Sequence, residues 1–150
     1  VVLHDGVPVY TKDTALGGRA LTSEIQKQMG LSFDDAEALK INTAGGVAQE
    51  ALELISSFSE NYGLEAKRTL DFYSASSSGA PVGNVFLTGG GSLIQGMDRI
   101  IQEKTGLPTQ YLNPFTRISV DEKQFTPEMV QAIAPLAGVA IGLALRGSQS

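Results

Sequence analysis

A chain of 150 residues makes one ordinary domain, long enough to bury about 68–70% of the surface its unfolded form exposes. A hydrophobic share of 42% with 18% charged residues is globular in kind, and a net charge of -5 argues against nonspecific binding to nucleic acid or to an anionic membrane. With no cysteine and the single histidine His4, disulfides, thiolate metal sites, cysteine nucleophiles and any site needing two imidazoles are excluded.

The chain opens on Val1-Val2-Leu3 with no initiator Met, which reads as a piece of a longer protein. Val1–His4 and Val7–Tyr10 are short β-rich runs joined by Asp5-Gly6, a two-residue hairpin signal that needs positive φ. Pro8 places that hairpin near a sheet edge or turns its own nitrogen outward. After Gly17-Gly18, Leu21, Ile25 and Met29 recur on one helical face, and Gly30 stops the helix. Ser32, with Asp35 three residues on, caps a short helix over Phe33–Lys40. Ala48, Leu52, Ile55, Phe58, Tyr62, Ala66, Leu70 and Tyr73 then keep a helical period. One helix from about Val47 to Tyr73 is expected, with Gly63 as a weak interior point.

The stretch Ser74 to Gly83 is loop-like in composition. Val85-Phe86-Leu87-Thr88 reads as a buried strand of the parallel-sheet type. Three glycines follow, and Ser92 with Gln95 reads as a capping box opening a helix to about Lys104. Thr109–Leu112 is a second strand, and Pro127 starts a last helix running to about Arg146. The longest apolar run, Ala132 to Leu145, is 14 residues and contains Pro135. That is short of the ~20 needed to cross a bilayer, so no membrane span is expected. The pattern as a whole indicates an α/β domain with a mixed sheet.

The sharpest chemical signal is Gly89-Gly90-Gly91-Ser92, at the carboxyl end of a strand, where α/β sheets carry ligands. Three residues without Cβ let backbone approach a bound molecule, and a helix beginning at Ser92 would add a partial positive charge. The same glycines also suit a plain strand-to-helix turn. Glu37 and Lys40 share a helix face and could meet a sugar hydroxyl and a base or phosphate edge, or simply form an exposed ion pair worth about 0.3–0.5 kcal/mol. In the last helix Ala134, Gly138 and Gly142 form a stripe without bulk, suited either to its own sheet or to a second helix or ligand.

In order along the chain, Leu16-Gly-Gly-Arg-Ala-Leu-Thr22, Ala36-Glu-Ala-Leu-Lys40, Leu70-Asp-Phe-Tyr73, Val85-Phe-Leu-Thr-Gly-Gly-Gly-Ser-Leu-Ile-Gln-Gly96, Asn113-Pro-Phe115 and the final helix resemble the C-terminal half of the PilM family. These are actin-like ATP-binding proteins of type IV pilus assembly, related to FtsA. The resemblance implies an actin-like, ribonuclease-H-like half whose first strand is missing. Residues 1–41 and 76–150 would be subdomain 2A, and about 42–75 a shortened helical 2B-type insertion. It implies that Gly89, Gly90, Gly91 and Ser92 are the adenosine motif and that Glu37 and Lys40 contact ribose and base. ATP would be the cofactor, with Mg2+ in the intact protein. Hydrolysis would be slow or absent there and not expected of this piece alone, which would bind nucleotide weakly or undetectably.

The resemblance further implies a cytoplasmic scaffold, peripheral to the inner membrane through its partners, without membrane insertion of its own. The N-terminal tail of PilN would be a partner, in a groove mostly outside this chain, along with other pilus platform proteins. The last helix would pack on its counterpart in the other half. The strand and Asp-Gly loop for the second phosphate, expected just before Val1, are absent, as is the first phosphate motif. Competing readings are an FtsA-like filament-forming division protein, a sugar or acetate kinase of the same superfamily, and an interaction module whose triple glycine is only a turn.

Overall fold

The computed structural model describes residues 1–41, 49–76, 81–121 and 123–147. The expected helix start at Val47 and Ala48, part of the 74–83 loop and the last three residues lie outside them. Among the described residues the order is a hairpin of β1 (Val2–His4) and β2 (Val7–Tyr10), then helices α1 (Gly18–Met29), α2 (Phe33–Ile41) and α3 (Gln49–Ser76). Strand β3 (Val85–Leu87), helix α4 (Met97–Thr105), strand β4 (Thr109–Tyr111) and helix α5 (Pro127–Gly147) follow.

The hairpin forms as its turn dictates, with Asp5 at φ 50° and Gly6 at φ 77°, the two positive values a tight primed turn requires. β1 and β2 are antiparallel, while β3 and β4 are parallel in register Val85 to Thr109. Antiparallel and parallel pairing are thus both present, in two separate two-stranded sheets. A cleft of about 870 Å³ lies between them, with Val2–His4 and Val85–Leu87 among its walls. Tyr10 ties the hairpin to α3 by ring contacts with Phe72 and Tyr73, both at 6.0 Å.

The core is helical. Leu21 and Ile25 of α1, Ile55 of α3, Met97 and Ile101 of α4 and Leu87 of β3 bury together. α2 is held at its start as the sequence predicts: the Asp35 amide donates to Ser32 Oγ at 3.1 Å and the Ser32 hydroxyl donates to Asp35 Oδ2 at 2.6 Å. α3 passes unbroken through Gly63. The reason is α4, which crosses there so closely that a Cβ on Gly63 would sit 2.9 Å from Lys104 Cγ and 3.0 Å from Ile100 Cγ2. The buried line of α3 is Ala51, Ile55, Ser59 and Gly63, whereas Leu52, expected on the inner face, is 38% exposed. Small residues, not large ones, let the helices approach.

One further expectation is corrected. The helix after the triple glycine does not begin at Ser92: a single 3-10 turn covers Gly90–Leu93, and α4 starts only at Met97. Gly96, at φ 78°, breaks the backbone between them. The last helix spans Pro127–Gly147 with Pro135 inside it, as the sequence predicts. At 21 residues, with a mean hydropathy of 1.7 over its most apolar window, α5 is long and apolar enough to cross a membrane by length and composition.

Candidate functional site

The Gly17-Gly18 turn, the face of α2 and the triple-glycine loop converge, and Gly18 is the hinge of their contact. A Cβ on Gly18 would lie 3.4 Å from Lys40 Nζ and 3.7 Å from Gly91 Cα, and one on Gly91 would lie 3.5 Å from the Gly18 nitrogen. Glycine at both positions lets two backbone segments and an ammonium share one small space. The sequence-predicted Glu37, Lys40 and Gly91 are thus brought together, although they lie far apart in the chain.

Glu37 and Lys40 form the ion pair that their spacing predicts, but it is not an exposed one. Lys40 Nζ donates to both Glu37 oxygens at 2.7 Å, to Thr22 Oγ1 at 2.9 Å and to the Gly18 carbonyl at 3.3 Å. The Lys40 side chain is 10% exposed and that of Glu37 36%. The Lys40 ammonium first, and the Thr22 hydroxyl second, hold the Glu37 carboxyl below its usual range. Thr22, fully buried on α1, is a member of the site that the sequence reading missed. Its one available signal was position: it stands four residues after Gly18, where a helical threonine hydroxyl can return to the i−4 carbonyl, as it does here at 2.9 Å.

The four loop residues take different places. Gly89 and Gly90 have no atom within 4 Å of where a Cβ would stand, so the upper side of the loop is open backbone. The Gly89 amide is committed below, donating to the Pro135 carbonyl at 2.8 Å, which also accepts from the Thr88 hydroxyl at 2.8 Å. Ser92 is buried, and its hydroxyl donates to the Gly89 carbonyl at 2.7 Å. Ser92 therefore fixes the shape of the loop rather than facing outward. With α4 starting at Met97, no long helix points its N-terminus at the glycines, and the expected anion-attracting charge is removed. The arrangement suits the apolar face and hydroxyls of a nucleoside better than an anion.

α5 closes the far side of the loop. A Cβ on Gly138 would meet Leu112 Cδ2 at 3.1 Å and Thr88 Oγ1 at 3.2 Å, whereas one on Gly142 would meet nothing within 4 Å. The small-residue stripe is therefore divided between a half packed on its own sheet and a half in the open. Among the described residues no cluster of three or more acidic or histidine side chains could hold a metal. His4 lies beside its turn, 3.6 Å from Asp5.

The sequence model of the family described as type IV pilus assembly protein PilM matches residues 1–148. Among solved structures, a chain of a PilM-PilN type IV pilus biogenesis complex superposes with a TM-score of 0.76 at 30% identity, over 88% of this chain. The match spans 37% of that structure's chain.

Proposed function

Since the chain belongs to the type IV pilus assembly protein PilM family, we propose that it supplies the adenosine side of an ATP cleft in a cytoplasmic, actin-like scaffold of the pilus platform. The observation that carries this reading is the contact of Gly18 with both Lys40 and Gly91. Three segments that pattern alone could not connect meet there, next to the open backbone shelf of Gly89 and Gly90. Gly89, Gly90 and Gly91 would lie under the nucleoside, Glu37 and Lys40 would flank it, and Ser92 would hold the loop from beneath. When bound, ATP with Mg2+ would bring its phosphates to residues outside this chain, so no hydrolytic step is assigned to the residues described.

The same reading accounts for the two separate sheets. A strand inserted in the cleft between β1 and β3 would pair with both and join them into one mixed sheet, as the expected strand before Val1 would do. Residues 1–41 and 76–150 then correspond to subdomain 2A, with the helical 42–75 segment as its insertion. The bare half of α5 would pack on the other half of the intact protein, which explains so apolar a helix without membrane insertion. The N-terminal tail of PilN is proposed as a partner, since the matched structure is a complex with PilN; it and other platform proteins would keep the scaffold at the inner membrane.

Gly90 is exposed and unobstructed, so Gly90→Val adds bulk to the shelf without disturbing the core. Full-length protein carrying this change should lose the nucleotide that the wild type retains, measured by chromatography of the denatured sample. Unchanged retention would contradict the site.

A further inference from the structure

This inference rests on the nucleoside reading above and divides the labour within it. An ammonium has three protons to give, and four oxygens already surround Lys40 Nζ within 3.3 Å. At 10% exposure, and with more acceptors around it than it has protons, it is committed chiefly to the protein. Glu37 differs. Its two oxygens offer about four lone-pair sites, and the neighbours that reach them are Lys40 on both and Thr22 on Oε2. As the more exposed partner, Glu37 keeps acceptor capacity on the solvent side.

Thr22 is the pivot. Its hydroxyl accepts from Lys40 and has one proton to give, to Glu37 Oε2 at 2.5 Å or to the Gly18 carbonyl at 2.9 Å. A helical threonine divides between two χ1 rotamers; the return of this hydroxyl to the Gly18 carbonyl and its full burial select one, so the oxygen has little freedom to move. It accepts from the cation of the ion pair and lies within reach of both the carboxylate and, through the Gly18 carbonyl, the turn that touches Gly91.

We infer that Thr22 is a positioning residue which, with Lys40, holds Glu37 as the ligand-facing member of the trio, an acceptor aimed at a neutral hydroxyl of the nucleoside rather than at an anion.

The test is equilibrium binding of ATP and of 2′,3′-dideoxy-ATP, which lacks the ribose hydroxyls, to the full-length protein. The wild type should prefer ATP by roughly tenfold or more, as for a hydrogen bond to a charged group. Thr22→Val should weaken ATP by about tenfold while leaving the dideoxy analogue nearly unchanged, and Thr22→Ser should restore the preference. In a Glu37→Ala background Thr22→Val should have no further effect. Thr22→Ala, which only removes atoms, supplies the same comparison where valine disturbs folding. Equal loss of both nucleotides in the Thr22 variants would make Thr22 a mere latch between α1 and α2 and overturn the assignment. So would a wild type without preference, or an unchanged ratio in Thr22→Val. Those results leave the shelf standing, provided Gly90→Val still abolishes binding. Retention in Gly90→Val would instead remove the nucleoside reading, and the Thr22 assignment with it.

Discussion

α3 and α5 both carry glycine in mid-helix, and the two surroundings are opposite. Around Gly63 the chain has filled the space itself: α4 lies against the helix, and Lys104 crosses the glycine to pair with Glu60 at 2.5 Å. Around Gly142 there is nothing within 4 Å, and the neighbouring Val139 and Leu143 are exposed. A small residue in a helix thus records a close approach only when a partner is present to make it. Glycine costs roughly 1 kcal/mol relative to alanine in either helix, and in α3 the compensation is visible within this chain.

The largest test of that contrast substitutes a big residue in each helix. Ile55 of α3 is 6% exposed and Leu143 of α5 is 61% exposed. In urea denaturation of the 150-residue chain, Ile55→Ala should cost about 2–5 kcal/mol through the cavity it leaves. Leu143→Ala should stay within about 0.5 kcal/mol. Repeating Leu143→Ala in the full-length protein sharpens the comparison, because a larger cost there would show that the other half covers α5. Similar costs for the two substitutions in the short chain would erase the distinction.

One identical change at the two glycines should give opposite signs. Gly63→Ala forces a methyl onto Ile100 and Lys104, and overpacking of about 1–3 kcal/mol outweighs the helical gain. Gly142→Ala meets no neighbour and should stabilise the chain by about 0.5–1 kcal/mol. Thermal melts of the two variants displaced in the same direction would break the argument.

The smallest effect concerns a contact of the self-filled kind, where α1 and α2 meet at Glu37. Its carboxyl is held low chiefly by Lys40. A carboxyl with a lower native than unfolded pKa contributes stability that is complete above its ordinary range and is lost as pH falls through the native value. Lys40→Met should therefore raise the pH at which Glu37 titrates, followed by carboxyl carbon NMR. The stability gap between wild type and variant should narrow on acidification through that window. A Glu37 titration indifferent to Lys40 would show the ion pair to be incidental.

The elements legible in the sequence were those fixed by local physics. Asp5-Gly6 names its turn because only a few residues accept two positive φ angles in succession. Ser32 and Asp35 name a helix start because their side chains satisfy one another and a free amide. The parallel pairing of β3 and β4 follows from an apolar run and the helix between them. Reading failed where one local signal overrode another or a distant neighbour decided. Ser92 and Gln95 resemble a capping box, yet Gly96 can take a left-handed angle and the helix waits until Met97. Leu52 has the periodicity of a core residue, yet the buried line of α3 runs through Ala51, Ser59 and Gly63, where α4 crosses. Hydropathy does not weigh such residues, since their value lies in what they leave out. Thr22 was passed over for a similar reason: a threonine in a helix looks neutral until two charged groups are seen to bond to it.

By itself the sequence determined the order of helices and strands, the hairpin, the family and the residue types available to a site, because each rests on backbone preference or on a run of neighbouring residues. Only the tertiary structure decided that Gly18 would meet Lys40 and Gly91, that Ser92 would turn inward, and that the Glu37–Lys40 pair would be gathered around the buried Thr22. Those facts depend on how α1, α2 and the loop after β3 are set against one another by the packing of α3 and α4. No local rule in the chain encodes that arrangement.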